Sequence, residues 1–152
     1  MYHDTLPPFE AAPPRITAPL HPTADVRGPV VLDEARGLFF YCNTDASPRE
    51  GISLVWWANN RWNHQNTNNA ASNPYGLRPA DNLLLDPVAG KLFYRTHNRE
   101  IAACYFDAAS GWHHVVLASS ARPALGNLSL APNGHIFYLG DDNAVHALRY
   151  LP

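Results

Sequence analysis

Apolar residues along the chain fall in short runs that stop at Gly, Pro, Asn or Asp, and the runs recur. Val30 to Tyr41 reads VVLDEARGLFFY, Leu83 to Tyr94 reads LLLDPVAGKLFY, and Leu128 to Tyr138 reads LSLAPNGHIFY, one residue shorter. Each is an apolar strand, a turn ending in glycine, and a second strand that closes on Phe-Tyr. Short segments rich in Val, Ile, Phe, Tyr and Trp and bounded by turn formers favour strand over helix. Gly37, Gly90 and Gly134 hold the same point of the turn, where a residue tolerating positive φ lets the strands reverse.

The similarity extends past each hairpin. Ile52 to Trp57 (ISLVWW), Ile101 to Phe106 (IAACYF) and Val145 to Tyr150 (VHALRY) read as third strands. Arg61-Trp62-Asn63-His64 and Gly111-Trp112-His113-His114 add a fourth segment to the first two copies. The third strands start 49 and then 44 residues apart, the spacing of a four-stranded propeller blade. The sequence therefore predicts an all-β fold of β-propeller-type repeats, three four-stranded antiparallel blades over 26–73, 74–123 and 124–152. The third reaches Leu151-Pro152 where its outer strand would begin, so that strand is expected to be missing.

Residues 1–25 carry six prolines and read as an extended arm, since Pro cannot donate to a ladder. Asn59 to Asn73 holds seven asparagines and reads as a solvated link between the first two copies. Three blades cannot close a ring, because propellers start at about four. The expectation is a homo-oligomer, a dimer giving six blades.

Composition narrows the function classes. Only 16% of residues are charged and the net charge is −2, with Lys and Arg scattered, so there is no electrostatic footprint for nucleic acid. No run is long enough for a membrane span, and the start Met1-Tyr2-His3-Asp4 is not that of a signal peptide; the compartment stays unassigned. Cys42 and Cys104 occupy different repeats and different repeat positions, which fits two buried thiols better than a bridge.

The candidate binding residues are Trp62 and Trp112 with the neighbouring His64 and His113, and the turn residues Arg95, His97 and Arg99. An aromatic ring suits the C–H face of a sugar when polar donors stand nearby. A Trp recurring once per repeat equally suits an anchor packing one blade on the next. The turn residues have the composition of a solvated turn and also the position from which a site is framed. The histidine spacings do not match a metal site, since His113 and His114 on one strand point to opposite faces. No nucleophile signature or phosphate-cradling loop is present, so neither an enzyme nor a cofactor is expected.

Leu83 to Leu117, with Tyr105-Phe106-Asp107 followed by Gly111-Trp112, resembles the blades of fucose-binding and tectonin-like propeller lectins. Asp142-Asn143-Ala144-Val145-His146 looks like the strand entry of related seven-bladed lectins. The resemblance implies a site between neighbouring blades, with Trp62 and Trp112 at the position of the sugar-stacking Trp. The family's sugar-holding Arg falls here on Phe39, Leu92 and Ile136, and its Glu on Leu54, Ala103 and Ala147, so the fucose site of that family is not expected. The reading is a non-catalytic, carbohydrate-binding module with a glycan partner; the alternative is a protein-interaction scaffold that closes by oligomerisation or partner binding.

Overall fold

A computed structural model describes residues 26–43, 51–67, 72–73, 77, 79–80, 83–117 and 123–149. These residues form strands and turns and no helix, and the strands fall into three separate antiparallel sheets. The first holds β1 (Val26–Asp33), β2 (Leu38–Asn43), β3 (Gly51–Ala58) and β4 (Arg61–Asn66). The second holds β5 (Leu84–Asp86), β6 (Lys91–Arg95), β7 (Ile101–Asp107) and β8 (Gly111–Val116). The third holds β9 (Ser129–Leu130), β10 (His135–Leu139) and β11 (Val145–Arg149), three strands among the described residues. Within each sheet the strands lie in chain order, and no sheet closes on itself.

The turn chemistry explains why the strands reverse where they do. Gly37, Gly90 and Gly134 have φ of +62°, +64° and +80°, the region that favours glycine. Before two of them stands an aspartate that caps the turn: Asp86 Oδ1 accepts the Val88 and Ala89 amides, and Asp33 accepts from Arg36. The second turn is also repeated. Thr96 N donates to Glu100 O as Gly140 N does to Ala144 O, and Arg99 and Asn143 both take positive φ, +64° and +60°.

Strand alternation sorts side chains to two faces, and every sheet uses both. Phe40, Ile52 and Leu54 of the first sheet meet Leu92, Tyr94, Cys104 and Trp112 of the second in one core. The opposite face of the second sheet, with Phe93, Ile101 and Ala103, meets Ile136, Tyr138 and Leu148 of the third in another. The middle sheet is thus buried on both sides. The face a sheet turns toward its successor is its leading face, and the other its trailing face. Between sheets the closest approaches are β1 to β5 and β5 to β9, so the first strands converge and the later strands splay apart.

Asn59 and Asn60 form an exposed turn, but the other described residues of the asparagine-rich link are not the solvated loop that its composition suggested. Asn63 and Asn66 belong to β4, and Thr67, Ser72 and Asn73 are buried. Asn73 bridges Leu77, donating from Nδ2 to its carbonyl at 2.7 Å and accepting its amide at 2.8 Å, while Ser72 O accepts the His114 amide. Backbone carried into a seam between two sheets must find hydrogen-bond partners, and short polar side chains supply them locally. Cys42 and Cys104 are buried free thiols. The arm 1–25, most of the turn Asn43 to Gly51, and Leu151-Pro152 lie outside the described residues.

Candidate functional site

The seven sequence candidates do not converge on one place. Register puts Arg95 opposite Ile101, beside the turn at one end of the second sheet. Trp112 and His113 pair with Phe106 and Tyr105 next to the turn at the other end. His97 and Arg99 are exposed and Arg95 is half-buried, and the Arg99 carbonyl accepts the Ala124 amide, tying this turn to the link into the third sheet. These three candidates therefore stand apart from the aromatic ones.

Trp112 lies on the trailing face of the second sheet, only 6% exposed, with its ring edge-on to Phe40 (centroids 6.2 Å) and Phe106 (5.3 Å). The first sheet covers it. Trp62 holds the same repeat position on the trailing face of the first sheet, where this chain has no preceding sheet among the described residues. It is half-buried, edge-on to Trp57 at 5.4 Å and Phe39 at 6.1 Å. His64 follows it, next to Tyr41 with ring centroids 6.2 Å apart.

Beside Trp112 is a buried polar cluster that no local motif marks. His114 Nδ1 is 2.8 Å from the Tyr94 hydroxyl and Nε2 is 3.0 Å from Thr67 Oγ1. Thr67 Oγ1 already donates to the Ile52 carbonyl at 2.7 Å, so it accepts from His114 Nε2–H, and Nδ1 accepts from Tyr94. The wiring selects one neutral tautomer. Burial pushes the His114 pKa down to about 4 and the Cys104 thiol up to about 12, and burial likewise raises Tyr94, with the nearby thiols adding to it. Cys104 Sγ lies 3.5 Å from His114 Nε2 and donates to Thr67 Oγ1 at 3.8 Å. Because Nε2 carries a proton and the only ring lone pair is taken by Tyr94, the histidine has no means to deprotonate the thiol. The cluster clamps the two sheets and is not a nucleophile.

A second polar group is on the surface. Ser110 Oγ donates to Asp107 Oδ1 at 2.8 Å and lies 2.7 Å from His113 Nε2. In a relay for nucleophilic attack the histidine stands between serine and carboxylate; here the serine stands in the middle. Asp107 Oδ1 also accepts the Ala109 and Ser110 amides at 2.9 Å each, and these bonds, with that of Ser110 Oγ the largest contributor, hold its carboxyl below the usual range. The group is a turn cap. His113 stacks on Tyr105 at 5.2 Å, and the Lys91 ammonium lies 5.2 Å from the centre of the Tyr105 ring. Burial lowers the Lys91 pKa, against the opposing pull of Asp86.

The leading face of the third sheet exposes apolar side chains. Phe137 is 39%, Leu139 41% and Val145 74% exposed. In the aligned repeats Phe137 stands where Phe40 and Phe93 stand, and Val145 where Ile52 and Ile101 stand; all four of those are fully buried. The signal was present in the repeat itself, once positions are compared by face. Among the described residues no three His, Cys, Asp or Glu side chains are grouped as for a metal.

No family model matches this chain, and no curated protein and no solved structure matches it either.

Proposed function

We propose that the chain is a protein-interaction module built from propeller blades, and that it recruits its partner through the end of its sheet array. The exposed leading face of the third sheet carries this reading. Phe137, Leu139 and Val145 form an apolar strip, and the counterparts of Phe137 and Val145 are fully buried in both other sheets. Sheets in chain order, a middle sheet covered on both faces and convergent first strands support the blade assignment. A photo-crosslinking residue at Val145 tests the role: irradiation is expected to give a discrete protein adduct. The same probe at Val88, exposed on a turn away from this face, should give none, and a blank lane at 145 would remove the reading.

A second reading, carbohydrate binding, is the one favoured by the likeness to propeller lectins, and one observation favours it here. The Tyr105–His113 stack has a cation against the ring and a serine hydroxyl on the histidine, a combination suited to a sugar's C–H face and hydroxyls. Trp112, enclosed between sheets, has no open ring face for this purpose. Glycan-array binding that is lost on Tyr105→Ala and kept on Val145→Asp would establish this role, and an empty array would dismiss it.

A further inference from the structure

We infer that the partner of the exposed end face is a second copy of the same chain, bound head to tail, so that two chains form one ring of six sheets. The inference rests on the interaction-module reading above and names its occupant. Inside the chain a leading face is covered in both instances by the same kind of trailing face. In the second sheet that face presents Leu85, Leu92, Tyr94, Cys104 and Trp112, and in the third Leu130, Ile136, Tyr138 and Leu148. The first sheet repeats this pattern on its own trailing face, with Leu32, Phe39, Tyr41, Val55 and Trp62 at the corresponding positions.

The correspondence reaches polar detail. Tyr94 sits against His114 of the fourth strand on the second sheet's trailing face, and Tyr41 sits against His64 at the matching place on the first sheet. On that sheet Leu32 is 44% exposed and Phe39, Trp57 and Trp62 are half-buried, while Tyr41 and Val55 of the same face are already buried within the single chain. One end of the array thus carries the apolar leading half of an inter-sheet contact that the chain makes twice, and the other end carries the trailing half.

Two complementary, non-identical end faces make a heterologous contact, which closes into a ring when the rotation per sheet allows it. Sheets that converge at their first strands supply such a rotation. With the three sheets of the described residues as the repeating set, six is the multiple that falls within the roughly four to eight blades of known propellers, which corresponds to two copies.

Light scattering on the full chain at micromolar concentration tests this, with Val145→Asp to block the leading end and Leu32→Asp to block the trailing end. Both sites are on exposed strand positions, and circular dichroism checks that each variant folds. The expected result is twice the 16.8 kDa of one chain for the parent protein and a single-chain mass for each variant alone. Mixing the two variants should restore a dimer, dissociating at least tenfold more readily than the parent, because one intact interface remains between them. If Leu32→Asp stays dimeric while Val145→Asp does not, two leading faces meet each other and the head-to-tail inference fails. A parent chain that is monomeric also overturns it. In that event an apolar dye bound by the parent and lost in Val145→Asp leaves an open face for a different partner, whereas no dye binding removes the interaction-module reading as well.

Discussion

The Tyr94 hydroxyl donates to His114 Nδ1 across 2.8 Å in the seam between the first two sheets, and it does so only because the other ring nitrogen is committed to Thr67. Three elements supply the three residues, and the neutral imidazole is what fits between them. A second proton would add a charge that burial does not tolerate.

The first prediction concerns pH. His114 is neutral in the folded chain down to about pH 4 and titrates near 6.5 when unfolded, so the unfolded state binds the extra proton between those values. Stability is therefore full above pH 6.5 and falls as pH drops toward 4, by up to about 3 kcal/mol from this group. Urea denaturation across that range should show the loss, and His114→Gln should flatten it while lowering stability at neutral pH.

The two repeated tryptophans should separate by their surroundings. Trp112→Ala opens a cavity between two sheets and is expected to cost about 3–5 kcal/mol. Trp62→Ala, on a half-buried ring at the end face, should cost roughly half as much or less in the monomer. Equilibrium unfolding of the two variants at a concentration that keeps the chain monomeric compares them directly.

Arg99 is held at a φ of +64° without the freedom of glycine. Arg99→Gly should stabilise by about 0.5–1 kcal/mol, because relief of the left-handed conformation, roughly 1–2 kcal/mol for an ordinary residue, is offset in part by the greater freedom glycine gives the unfolded chain. Thermal unfolding reads the sign.

Cys104 is fully buried, its thiol held protonated to about pH 12, and Cys42 is buried too. Thiol reagents at pH 8 should leave both unmodified in the folded chain and label both once denaturant is added. Rapid labelling of native protein would show that the seam opens.

Much of the architecture was legible from local pattern. The glycine at the first turn, the strand-forming runs and their spacing are determined by short-range sterics and propensity, and the hairpins fall where Gly37, Gly90 and Gly134 place them. The asparagine-rich link was misread because composition reports what a residue can bond to and not whether its backbone is buried; Asn73 is polar and enclosed at once.

The sequence by itself determined the repeat: which segments are strands, which residues turn the chain, and how many copies of the unit there are. Tertiary structure alone decided what each copy's faces meet. Trp62 and Trp112 occupy the same repeat position, yet one is half-buried at an end and the other is sealed between sheets. Likewise Ile52 and Ile101 are buried where Val145 is exposed. Period-two alternation assigns a side chain to a face, but burial depends on whether another sheet lies against that face, and stacking order is a property of the whole array.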